Sequence, residues 1–162
     1  HLGLSHAVTV RAGAAHGRDD WEGVRAGARV ALTISVGFSA VACVAFIVFP
    51  ELLLRGFVSP NEPNLEALLL RGTTLLYIAA AFQLADGLQV MGTGLLRGLQ
   101  DIKVPMYFAT FSYWAIGVTA GYILGFVVEW DAVGVWLGLT GGLISSAILM
   151  LVRFQILSRG PA

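Results

Sequence analysis

Between Gly72 and Leu96 runs a stretch of 25 residues with a single charged side chain, Asp86. A carboxylate at the centre of a bilayer costs about 2.5 to 3.5 kcal/mol on insertion scales, so it persists mainly where it holds an ion, a proton or a substrate. At about 100° per residue, Gln83, Gln89, Thr93 and Arg97 fall within about 60° of Asp86, forming one polar stripe along an otherwise apolar helix. Such a stripe must face protein or water. Two roles fit it: a hydrogen-bond anchor between helices, and a site that exchanges a proton or a sodium ion.

A second group of functional side chains, Ser112, Tyr113, Trp114 and Tyr122, lies in another apolar stretch. Trp114 is ten residues past Val104, deeper than an interfacial belt would place it. Aromatic faces attract organic cations, so Tyr113 and Trp114 are substrate-cavity candidates; core packing is the commoner role for such a tryptophan. Glycines repeat every fourth residue at Gly117, Gly121 and Gly125, and again at Gly134, Gly138 and Gly142. Both series predict close helix packing, because small residues let backbones approach.

The elements that must carry these residues follow from hydropathy. The 162 residues are 57% hydrophobic and 12% charged, about half the charge of a soluble domain. Mean hydropathy is +0.79. Four runs are 21 to 25 residues long and free of charge apart from Asp86: Val30 to Pro50, Gly72 to Leu96, Val104 to Val128 and Ala132 to Val152. Each matches the roughly 20 residues that a helix needs to cross a bilayer core. The predicted fold is an all-α, polytopic membrane helix bundle with four full spans. His1 to Val10 reads as the end of a fifth helix that begins upstream, so the chain is expected to be a fragment.

Connectors carry turn signals: Pro50 and Glu51, the stretch from Ser59 to Asn64, Arg97 to Pro105, and the short Glu129 to Asp131. Trp21 and Trp130 sit where interfacial aromatics are common. Eight basic residues, Arg11, Arg18, Arg25, Arg29, Arg97, Lys103, Arg153 and Arg159, belong to one side, and only Arg55 and Arg71 to the other. Positive charge is retained inside, which predicts a plasma (inner) membrane protein with a cytoplasmic C-terminus.

Zero net charge argues against nucleic acid as a partner. Cys43 has no second cysteine to pair with, and His1, His6 and His16 show no metal-ligand spacing. GTGLLRG, Gly92 to Gly98, has the wrong spacing and setting for a dinucleotide loop. With no nucleophile, metal cluster or acid and base pair in view, an enzyme is not expected.

Four stretches together resemble the multidrug and toxic compound extrusion (MATE) family, nearest its NorM-like branch. They are GLSHAVTVRAGAAHGRDD (Gly3 to Asp20), QLADGLQVMGTGLLRGLQD (Gln83 to Asp101), SYWAIGVTAGYILGF (Ser112 to Phe126) and GVWLGLTGGLISSAILMLVR (Gly134 to Arg153). The resemblance implies a twelve-helix transporter of two lobes that exports organic cation drugs in exchange for sodium ions or protons. No cofactor is implied beyond that coupling ion. The chain would then be part of the C-terminal lobe: the end of helix 8 (1–15), helix 9 (26–50), helix 10 (66–97), helix 11 (104–128) and helix 12 (132–154). Its implied partners are membrane lipids and the N-terminal lobe of the same polypeptide. Asp86 matches the aspartate of the family's cation site, with Gln83, Gln89 and Thr93 lining the same cavity. Phe82 stands where some members carry a tyrosine, and the site's glutamate on the seventh helix would lie upstream of His1. A lipid-linked precursor flippase of the same superfamily and a non-transporting membrane scaffold are the alternatives.

Overall fold

A computed structural model describes residues 1–57 and 64–160. Among these the chain forms six helices and no strand: α1 (Leu2–His16), α2 (Trp21–Val48), α3 (Pro50–Arg55), α4 (Leu65–Gly98), α5 (Lys103–Val127) and α6 (Asp131–Leu157). Of these, α2, α4, α5 and α6 are long and apolar enough to cross a membrane, as the four uncharged runs predict. Helices are the natural outcome for such segments. Lipid offers the backbone no hydrogen-bond partner, so each N–H and C=O must be satisfied within its own helix. The stretch from Ser59 to Asn64 lies, except for Asn64, outside the described residues.

Local chemistry sets the ends. Asp20 caps α2 by accepting a 2.7 Å hydrogen bond from the Gly23 N–H, so the helix starts at Trp21, some residues before the apolar run. Pro50 opens α3, having no N–H to lose at a first helical turn. In the tight connectors Asp19, Gln100 and Glu129 take positive φ values of 54°, 64° and 59°, reversing the chain within a few residues.

The elongated α4 is the central element, packed against α1, α2 and α6, while α5 rests mainly on α6. Its Met91, Leu95 and Leu96 are fully enclosed by Val8, Ala12, Val24, Ala28, Met150 and Phe154. This core occupies the end of the bundle where the basic connectors lie. Glycines allow the fit. A methyl group on Gly98 would lie 2.8 Å from both the Ala12 Cβ and the Thr9 carbonyl oxygen, and one on Gly92 would meet the Met150 Cβ at 3.0 Å. The glycines of GTGLLRG therefore serve as helix contacts. Polar cross-links reinforce them: Ser5 donates to the Val90 carbonyl at 3.2 Å and Thr9 to the Gly94 carbonyl at 2.9 Å.

The glycine series of α5 and α6 face one another. A methyl on Gly138 would collide with backbone N and Cα of Gly121, and one on Gly142 would lie 2.7 Å from the Gly117 Cα. Along this contact α5 departs from the regular helix that its sequence predicts. Ser112–Val118 and Ile123–Val127 are π-helical, with wider turns that redirect the side chains following them.

One ion pair fastens the connector between α4 and α5. Arg153 Nε on α6 donates to Asp101 Oδ2 at 2.9 Å, and the Asp101 side chain keeps only 14% of its surface exposed. Removing the guanidinium leaves that carboxylate largely buried and unpaired. Arg153→Gln is expected to destabilise the protein by about 1–3 kcal/mol, and Arg153→Gln with Asp101→Asn to recover part of the loss. Thermal unfolding of the two variants in one detergent checks the order.

Candidate ion and substrate site

Asp86 lies on α4 twelve residues before Gly98, about 18 Å along the axis from the helix's basic end. It is half-buried, and no side-chain or backbone donor among the described residues bonds its carboxylate. Tyr113 lies on the first π-helical stretch of α5.

The rest of the stripe divides. Toward the basic end Gln89, Thr93 and Arg97 line a cavity of about 270 Å³ between α4 and α5, with Pro105 and Met106 on the far wall and Asp101 at its rim. The Thr93 hydroxyl donates at 2.9 Å to the Gln89 carbonyl and lies 3.1 Å from the Met150 sulfur, so it is held in place by its own neighbours. Gln83, one turn to the other side of Asp86, does not line that cavity; its backbone carbonyl accepts from Ser39 Oγ at 3.3 Å. Phe82 packs edge-on against Trp136 of α6, ring centres 5.7 Å apart, so an aromatic contact between helices occupies that position.

Trp114 takes a different place from the core position that its depth suggests. It keeps 70% of its surface exposed, against 37% for Tyr113, both on the first π-helical stretch of α5. An apolar ring on the outside of a membrane helix still meets lipid or a neighbouring segment, so the hydrophobic argument for burial places no demand on the described bundle.

A polar cluster beside Asp86 has no counterpart in the reading of the sequence. The His1 ring lies between two buried serines of α2, with Nδ1 3.1 Å from Ser35 Oγ and Nε2 3.3 Å from Ser39 Oγ. Gly87, next to Asp86, makes room: a methyl there would lie 2.9 Å from both hydroxyl oxygens and from the His1 Cε1. The signal was present in the spacing, since Ser35 and Ser39 are one helical turn apart in an otherwise apolar run. What it paired with depended on how α1 crosses α2.

The site thus has a half-buried carboxylate, unbonded among the described residues, and, further along the same helix, a cavity lined by Gln89, Thr93 and Arg97. The MatE family profile matches residues 1–123, three quarters of the chain, including Asp86 and Tyr113. The chain belongs to the MatE family. Among relatives of this MatE chain are proteins named "Probable multidrug resistance protein NorM" from Rhizobium meliloti and Mesorhizobium japonicum. They are 42% and 40% identical over 98% and 94% of the chain, and over 34% and 33% of their own lengths. A "Multidrug resistance protein NorM" from Burkholderia vietnamiensis is 39% identical over 96% of the chain and 34% of its own length. The chain therefore spans about a third of the relatives it matches. Family membership and four helices long and apolar enough to cross a membrane mark it as a multi-pass membrane chain of multidrug-transporter kinship.

Proposed function

We propose that the chain is part of the C-terminal lobe of a twelve-helix multidrug exporter, which extrudes organic cations in exchange for sodium ions or protons. The observation that carries this reading is the Asp86 carboxylate, half-buried at mid-depth and unbonded among the described residues of a MatE chain whose relatives are named for multidrug resistance. A carboxylate of that kind is costly to keep in a membrane and chemically suited to alternate between a cation and a proton. Gln83, Gln89 and Thr93 flank it on the same helix. Tyr113 and Trp114 supply aromatic surface to an organic cation, Trp114 from a face that the N-terminal lobe of the same polypeptide would approach. Toward the basic end of the same helix, Arg97 and Asp101 both line the cavity that Gln89 and Thr93 share.

The basic connectors gather at one end of the bundle, where Arg25 donates to the Ser158 carbonyl and Arg153 to Asp101. Their excess supports an inner-membrane orientation with that end and the C-terminus in the cytoplasm. A scaffold role predicts a partner for Asp86 on a neighbouring helix, and a flippase predicts several basic residues along the cavity. Among the described residues the first is lacking, and Arg97 is the one basic residue lining the cavity below Asp86.

Efflux of a fluorescent organic cation from vesicles holding the full-length polypeptide, with the sodium and pH gradients varied independently, tests the proposal. Export is expected to follow one inward ion gradient and to stop when that gradient is collapsed. Efflux indifferent to both gradients, or absent, counts against it.

A further inference from the structure

A concavity lined by three arginines lies away from Asp86. At the basic end, between the start of α2 and the end of α6, Arg25, Arg29 and Arg159 line a cavity of about 400 Å³, with Leu32, Leu151 and Phe154 as its apolar wall and Gln155 and Ser158 beside them. Its rim is anchored. Arg25 donates at 2.8 Å to the carbonyl oxygen of buried Ser158, occupying an acceptor that α6 leaves free at its C-terminus. Just beyond, Gly160 turns the chain at a φ of +79° and lies against the Trp21 indole, where a methyl would come within 3.1 Å of the ring. The ends of α2 and α6 are therefore tied together on both sides of the opening.

With Arg25 committed to that carbonyl, Arg29 and Arg159 keep their guanidinium donors unpaired: no acidic group among the described residues lies within ion-pair distance of them. The acids on neighbouring turns, Asp19, Asp20 and Glu22, precede the cavity, and Asp20 is engaged as the α2 cap. Two free guanidinium groups above an apolar wall, at the depth where a spanning helix meets the headgroup layer, match a phosphate carried on a hydrocarbon chain. A soluble phosphate would make no use of the apolar wall, and an uncharged lipid would leave the arginines without a partner.

We propose that this cavity is a binding site for an anionic phospholipid, its phosphate held by Arg29 and Arg159 and its acyl chain laid along Leu32 and Leu151. Arg25 positions the rim. The site lies apart from the proposed transport path and does not depend on it.

The test uses the full-length polypeptide in uncharged detergent, titrated with dioleoylphosphatidylglycerol or dioleoylphosphatidylcholine and read by native mass spectrometry. Phosphatidylglycerol is expected to bind about 25-fold more tightly than phosphatidylcholine, since each of the two basic groups near the headgroup contributes about five-fold. Arg29→Gln with Arg159→Gln is expected to lose about 25-fold in phosphatidylglycerol affinity and leave phosphatidylcholine binding unchanged. Arg18→Gln, outside the cavity, should behave as the native protein. Unchanged melting of the double variant without added lipid shows that it is folded. Equal affinity of the double variant and the native protein for phosphatidylglycerol overturns the proposal, as does full competition by glycerol 3-phosphate, which assigns the arginines to a soluble anion.

Discussion

Gly138→Ala is expected to destabilise the protein by about 3 kcal/mol or more, at the upper end of what overpacking costs, and Gly138→Leu to prevent α5 and α6 from pairing. The reason is the identity of the atoms in the way. A methyl at 138 runs into the N and Cα of Gly121 and the carbonyl carbon of Ala120, all main-chain atoms of a helix that cannot turn aside as a side chain would. Gly134 is pressed in the same way against the Leu124 carbonyl, and Gly142 against the Gly117 Cα and the Ser112 oxygen at 2.7 and 2.8 Å. The contact is asymmetric. Methyl groups on Gly117 and Gly121 of α5 would find their nearest neighbours at 3.5 and 3.3 Å, so Gly121→Ala should cost about 1 kcal/mol, the low end of the overpacking range. Gly141, with open space where its methyl would point, provides the control: Gly141→Ala should stay within about 0.5 kcal/mol of the native protein. Thermal unfolding of the four variants in one detergent measures the series, and a Gly138→Ala variant as stable as Gly141→Ala would refute the close approach.

Asp86→Asn is expected to reduce cation accumulation against a gradient to the passive level while leaving the protein folded. Asparagine keeps the shape of the side chain and can be hosted at the same half-buried position, but it offers a cation no charge and a proton no site. No hydrogen bond among the described residues depends on the carboxylate, so the melting temperature should move little. Coupling is the property removed. Ion-driven export in vesicles, measured beside thermal unfolding of the same preparation, separates a lost coupling site from a lost fold. Normal ion-driven export by the variant would exclude Asp86 as the coupling group. If Asp86 is instead a structural anchor, melting and transport should fall together.

Much of the architecture was legible because a membrane simplifies the physics. Uncharged runs of bilayer length can be little else than helices, and the four of them correspond to α2, α4, α5 and α6. The ends were less legible. The Asp20 cap extends α2 back to Trp21, through a segment containing Glu22, Arg25 and Arg29 that a hydropathy count excludes. The π turns of α5 were not legible either. They arise along its contact with α6, and the same apolar letters would suit a regular helix.

The sequence by itself determined that this protein has one carboxylate within its spans, two glycine ladders and an eight-to-two division of basic residues, because composition and spacing along a helix settle what each face carries. Only the tertiary structure decided who meets whom. It turned Trp114 outward, set His1 between Ser35 and Ser39, and drew Arg25, Arg29 and Arg159 around one cavity. Those meetings depend on crossing angles and rotations between helices, and these follow from packing of small residues on several helices at once, which no single stretch of sequence contains.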